Sequence, residues 1–369
     1  MAWMSPPATV SGYARASCGS NQTLACDGAM GLDADDIRDP MSPYRPSPAV
    51  AVFEDRRTGL TVFGVFTIML GAVCGMLVPL MFFGQQMAER STGIPADTRA
   101  MLPAMLMYGT LAVALVWLGI GSIMALRWAR VLILIFSWTW LLMGVVSLAG
   151  MAFLAPRLIE VIRSAVPAGQ PQMPDPMIQM IVAVQFAAIS VLLVLLPIAW
   201  IFFYRSPHVR ATCEANDPAP AWTDACPPAV LALSVWTALS APMVLVGPLA
   251  YRSVFPFFGV LVTGLPAALI SVVVAALLAY SAWALHRLRP VGWWLMTVGS
   301  CLATLSGAIT FSRIDPMEMY RAMGFPEQQL EQMQKFNFMT PSLMIWASVL
   351  FAVAFVAYML SVKKHFQTK

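Results

Sequence analysis

Charge is what this chain has least of. Asp, Glu, Lys and Arg make up 11% of its 369 residues. None of them, and no His, lies well inside the long apolar stretches. An ionisable residue at membrane depth is the usual mark of a proton relay, an ion path or a voltage sensor, so its absence argues against a proton-coupled pump or a sensor. Histidine is scarcer still: there are three, His208, His286 and His365. All three fall outside the apolar stretches, where they cannot hold a haem that needs axial ligands between helices. The six cysteines contain no Cys-x-x-Cys knuckle. There is no Gly-rich phosphate loop, no Ser-His-Asp order, no paired catalytic carboxylates and no His-Glu-x-x-His. No connection between apolar stretches is long enough to fold as a domain of its own. Neither an enzyme nor a cofactor is expected, and no nucleic-acid partner. A secretory signal, with a basic region followed by a short apolar one, is not legible either.

What is present is apolar: 59% of the residues are hydrophobic and the mean hydropathy is +0.73. Eight runs stand out, near Leu60–Phe83, Met101–Leu126, Val131–Leu154, Ile178–Tyr204, Val230–Tyr251, Val254–Leu285, Val291–Phe311 and Ser342–Val362. A bilayer core of about 30 Å needs roughly 20 apolar residues of helix. Lipid also forces each backbone polar group to pair within its own segment. The expected fold is therefore an all-α integral membrane protein of eight transmembrane helices. The sixth run is long enough to tilt, or to begin as an interfacial segment around Phe255, Pro256 and Phe257.

The chain divides into a tail (1–58), a first four-helix repeat (59–204), a linker (205–229), a second four-helix repeat (230–362) and a short tail (363–369). The first tail, rich in Pro, Ser, Gly and Asp, reads as disordered, and Met41 would serve equally well as a start. Arg56, Arg57, Arg127, Arg130, Arg205, Arg210, Arg287, Arg289, Lys363 and Lys364 sit tight against span ends on the side of the N-terminus. On the other side most bases lie in longer loops that also carry Glu160, Glu318, Glu327 and Glu331. The positive-inside rule places both termini in the cytoplasm, in a bacterial-type plasma membrane.

A shift of 159 residues lays Ala125-Leu126-Arg127 on Ala284-Leu285-His286, Arg130 on Arg289, Pro167 on Pro326 and Arg205 on Lys364. Four helices per half is an even number, so the expected arrangement is two parallel repeats about an axis along the membrane normal. The segments Pro156–Val166 and Pro316–Phe336 are amphipathic and are expected to form short helices. Asp315-Pro316-Met317-Glu318 reads as a helix start, and Glu331–Lys335 is a helix-supporting pair.

Few residues are candidates for chemistry. His208, Cys213 and Cys226, completed by Cys18 or Cys26, could supply zinc ligands. The simpler reading is two reduced, unpaired thiols, and no metal is expected. The chain has 26 methionines, and Met317, Met319 and Met323 would place soft sulfurs on one helix face suited to Cu(I). Flexible apolar packing explains them more simply. Gln185 is the most polar residue deep in a run, and an interhelical hydrogen bond is its expected role. Cys74 and Cys301 read as packing residues. Gly71 and Gly75, then Gly144, Ser147 and Gly150, recur at a spacing that allows close helix contact. Prolines 79, 197, 242, 248 and 266 imply kinks.

These readings favour a structural or accessory membrane protein acting by contacts with lipid, a membrane-protein partner or a second copy of itself. The alternatives are a permease for an uncharged or lipid-like substrate and, more remotely, copper handling.

Overall fold

The computed structural model describes residues 54–92, 98–164, 174–325, 327, 330, 331, 334 and 340–366. Expectations for residues 1–53, with Cys18 and Cys26, and for Lys335 and the last three residues lie outside these. Eight helices are long and apolar enough to cross a membrane: Arg57–Met87, Met101–Ile123, Arg127–Pro156, Asp175–Arg205, Pro228–Ala250, Leu265–His286, Pro290–Arg313 and Pro341–Phe366. We refer to them as the first to eighth spans. The face where the first span begins and the eighth ends is the terminal face; the opposite one is the far face.

Much of the proline in this sequence opens helices. Pro207, Pro228, Pro290, Pro316 and Pro341 are each the first residue of a helix, where the missing N–H is not needed and the fixed φ suits the turn. Inside the fourth span proline acts differently. Pro197 cannot donate to the carbonyl four residues back, that of Leu193. The helix widens there into a π turn, Val191–Leu195. The Leu193 carbonyl points at Gly144 of the third span, where a Cβ would strike it.

The sixth run departs from expectation. Its first third is not helix but a β-hairpin, Val254–Phe257 paired antiparallel with Val260–Thr263. The helix begins only at Leu265. The closing pair Phe257–Val260 leaves a two-residue loop, Phe258-Gly259, with both φ positive (45° and 86°), the geometry that matches the twist of a hairpin. Hydropathy alone missed it because Val, Phe and Leu are as apolar in a strand as in a helix. The β-branched Val254, Val260, Val262 and Thr263 favour the strand, and Pro256 opposes a helix interior while being tolerated on an edge strand. Ser306 Oγ and Thr310 Oγ1 of the seventh span accept the N–H groups of Phe258 and Gly259, each at 3.0 Å.

The amphipathic segments are partly as expected. Residues from Pro156 to Ser164 are helical but continue the third helix, Arg127–Ser164, rather than forming a separate one; Ala165 and Val166 lie outside the described residues. Asp315 caps Pro316–Ala322, its carboxylate accepting the Met317 N–H at 2.9 Å. Gly324, at φ +91°, ends that segment against the Arg252 side chain. Beyond it, Glu327, Leu330, Glu331 and Gln334 are helical, and Leu330 is buried.

The two halves share a turn geometry, but at an offset other than 159. The turn after the second span ends in an αL residue, Ala125, with Ala125 N bonding Ser122 O and Leu126 N bonding Gly121 O. The turn after the sixth span has its αL residue at Leu288, with Leu288 N bonding Leu285 O and Arg289 N bonding Ala284 O. Both are Schellman closures, and every atom pair is offset by 163 residues. The same offset lays Leu102-Pro103-Ala104-Met105-Leu106 on Leu265-Pro266-Ala267-Ala268-Leu269. The difference of four residues is about one helical turn. A slip of one turn keeps the same helix face in register, so apolar landmarks match at either shift.

Both clusters of buried side chains lie at the terminal end. One gathers Leu60, Leu132, Ile133, Trp200, Tyr204, Val209, Cys213 and Leu231. The other gathers Val230, Leu285, Trp293, Met359, Val362 and Phe366. Away from these clusters Val184, Val353 and many others expose their side chains to where lipid would lie.

Candidate functional site

The linker between the halves is the most polar segment near the spans, and it folds back on the terminal face. It carries a helix, Pro207–Asn216, and a 3₁₀ turn, Trp222–Ala225. Its side chains saturate the ends of neighbouring helices. Asp217 accepts the Arg127 N–H at 3.3 Å, and Asn216 donates to the Met124 carbonyl at 2.8 Å. Asp224 pairs with the Arg127 guanidinium at 3.3 Å. Thr212 and His208 accept the backbone N–H groups of Arg56 and Glu54. Below this layer the Ser122 hydroxyl donates to Leu60 O at 3.0 Å and meets the Tyr204 hydroxyl at 2.6 Å. These bonds tie four spans and the linker into one cap.

The proposed zinc residues are not brought together as a set. His208 Nδ1 is used by Glu54. Cys226 instead faces His286 Nδ1 at 3.8 Å, a partner the sequence did not suggest. Cys213 and Cys226 are free thiols, both buried. Among the described residues no cluster of three His, Cys, Asp or Glu side chains has metal-binding geometry. Burial pushes both thiols up to about 11, with Arg130 opposing the rise at Cys213. Arg210 hydrogen-bonds Glu214 at 2.7 Å and holds that carboxyl below its ordinary value.

A pH dependence follows. A thiol whose folded value exceeds its unfolded 9.0 favours the folded state fully below pH 9. That contribution is lost as pH rises through about 11, because only the unfolded chain ionises easily. Wild type should therefore lose stability between these values faster than a Cys213→Ala, Cys226→Ala variant, as read by unfolding midpoints across pH. Parallel pH curves would contradict it. The same burial means that thiol labelling of the native chain reports accessibility, not the side of the membrane.

Met317 and Met319 lie in the short helix Pro316–Ala322, and Met323 caps its C-terminus. Met319 is buried, while Met317 and Met323 are half-buried. Gln185 is a correction: it makes no interhelical hydrogen bond with the described residues and is exposed on the fourth span. Of the small residues, Gly71 lies 3.0 Å from Ala112 O measured to an added Cβ, and Gly144 packs as described, but Gly150 faces open space. Cys74 is buried and Cys301 exposed.

The described cavities lie away from any interface between the halves. One, of about 350 Å³, is a shallow groove between the third and fourth spans at Ile159, Ala183 and Phe186. The other, of about 630 Å³, opens at the far face between the seventh and eighth spans. Arg313 and Asp315 line it with Ser312 and Ser342. Sequence reasoning missed this group because its members are separated along the chain and only the folded span ends bring them together. No family model matches the chain, and no curated protein or solved structure matches it either.

Proposed function

We propose that this chain is an accessory integral membrane protein that works by lateral contact with another membrane helix, without catalysis. Gln185 carries the reading. The fourth span packs chiefly on the third, and from Met180 to Leu195 it leaves an apolar face exposed at Ile181, Val184, Val191 and Leu192. Midway along that face Gln185 presents a primary amide without a partner among the described residues. Lipid tails satisfy neither its donors nor its acceptor. A second helix does, and because an amide both donates and accepts, a second copy of this chain meets the requirement.

The same reading puts both termini in the cytoplasm of a bacterial-type plasma membrane, supported by the basic span ends under the positive-inside rule, and takes the two halves as parallel repeats, supported by the matching turns. A permease for an uncharged or lipid-like substrate is the second reading. Pro242 and Pro248 inside the fifth span and the π turn in the fourth favour it, and the positions of the two described cavities do not.

In a mild detergent, Gln185→Leu is expected to reduce an assembled species to single chains on size-exclusion chromatography with light scattering. Gln179→Leu, also exposed but near the far end of the span, should leave it unchanged. Equal masses for wild type and Gln185→Leu would remove the support for a contact at this face.

A further inference from the structure

The far-face groove has a chemistry that the contact reading does not use. Phe311 and Ile345 line its apolar side. Ser312, Arg313, Asp315 and Ser342 line its polar side. Arg313 forms no hydrogen bond or ion pair with the described residues. Its aliphatic stem lies against Gly259, where an added Cβ would come within 2.8 Å of Cδ. The hairpin that supplies Gly259 is itself held by Ser306 and Thr310, so the stem of Arg313 rests on an anchored turn while its guanidinium stays open to a ligand. Asp315 uses one carboxylate oxygen on the Met317 N–H, and its other oxygen makes no bond to the described residues. An exposed cation and an exposed anion thus stand two residues apart in the sequence and line one groove, which is apolar on one side and opens at the end of the seventh span.

A ligand that complements such a site carries both charges in reverse and brings its own apolar chain. An anion alone would meet repulsion from Asp315, and a quaternary ammonium has no N–H to give the carboxylate. A primary ammonium has three donors, and Asp315, Ser312 and Ser342 offer three acceptors. We propose that the groove binds an ethanolamine phospholipid of the far-face leaflet. Its phosphate lies on Arg313, where a guanidinium makes charge-assisted bonds. Its ammonium lies on Asp315, and an acyl chain runs along Phe311 and Ile345. The assignment rests on the contact reading in that the lipid is a bound partner and not a transported substrate.

Native mass spectrometry of the delipidated full chain, titrated with short-chain phosphatidylethanolamine, phosphatidylglycerol and phosphatidylcholine, tests it. Ethanolamine lipid should bind about tenfold more tightly than the other two. Arg313→Gln should weaken it by a similar factor. Asp315→Asn keeps a good helix cap, so the helix should stay folded while the preference over phosphatidylglycerol disappears. Equal binding of the three lipids, or no change in Asp315→Asn, would overturn the proposal. Free phosphoethanolamine binding as tightly as the lipid would replace a lipid site by a small-molecule site. Gln185→Leu should leave the lipid titration unchanged. Failure here with an intact Gln185 effect therefore counts against the groove alone, and the converse against the contact alone.

Discussion

Replacing Gly144 by valine is expected to force the third and fourth spans apart and to cost at least about 2–3 kcal/mol, the upper part of the range for overpacking. The reason is local. Pro197 frees the Leu193 carbonyl, the π turn carries that carbonyl toward the third span, and only hydrogen stands on Gly144 to meet it. An added Cβ would also fall 2.9 Å from Leu193 Cβ. The Leu193 carbonyl and Cβ and the added Cβ are all positioned by the backbone, so no rotamer change relieves the clash. Gly150, in the same helix, has no atom within 4 Å of an added Cβ. Gly150→Val should change stability by less than about 0.5 kcal/mol. Thermal unfolding midpoints in one detergent compare the two, and equal midpoints would show that the third and fourth spans do not meet at Gly144.

The second large effect is expected at Trp200. This side chain is fully buried and stands among Phe66, Phe136 and Trp140, with ring centroids 5.5 Å from Trp140 and 6.4 Å from the other two. Trp200→Ala should cost about 3–5 kcal/mol through the cavity it leaves. Trp200→Phe should cost far less, because its indole N–H has no hydrogen-bond acceptor to lose. Trp293 supplies the contrast. Its Nε1 donates to the Met359 carbonyl at 2.7 Å, near the end of the eighth span where carbonyls lack helical partners. Trp293→Phe leaves that carbonyl buried and unmet, at about 1–3 kcal/mol beyond the lost packing. If the two Phe variants unfold at the same point, the hydrogen bond at Trp293 contributes nothing.

The eight spans were legible because hydropathy and length are properties of composition. The Asp315 cap was legible because Asp315, Pro316 and Glu318 spell it within four residues. Three features were not. The hairpin is hidden by its own apolarity: Val254 to Thr263 has a helix-like hydropathy, and its turn depends on Gly259 tolerating a positive φ. The turn match at an offset of 163 was not visible in aligned residue identities, because it is carried by the positive φ of Ala125 and Leu288. Gln185 was assigned the wrong surroundings because a span that is apolar all round gives no sign of which face meets a neighbour. The polar cap and the far-face groove are products of the fold, since Ser122 and Tyr204, or Arg313 and Ser342, become neighbours only when the spans pack.

The central claim is that the exposed face of the fourth span is a protein contact. A photoreactive residue at Ala188, one turn from Gln185 on an exposed position, reads it directly in the native membrane. A second probe at Val353, exposed on the eighth span, reports the lipid background. The expected result is a discrete protein–protein adduct from position 188, absent at position 353 and lost from position 188 when Gln185 is leucine. Lipid adducts alone from both positions would contradict the account.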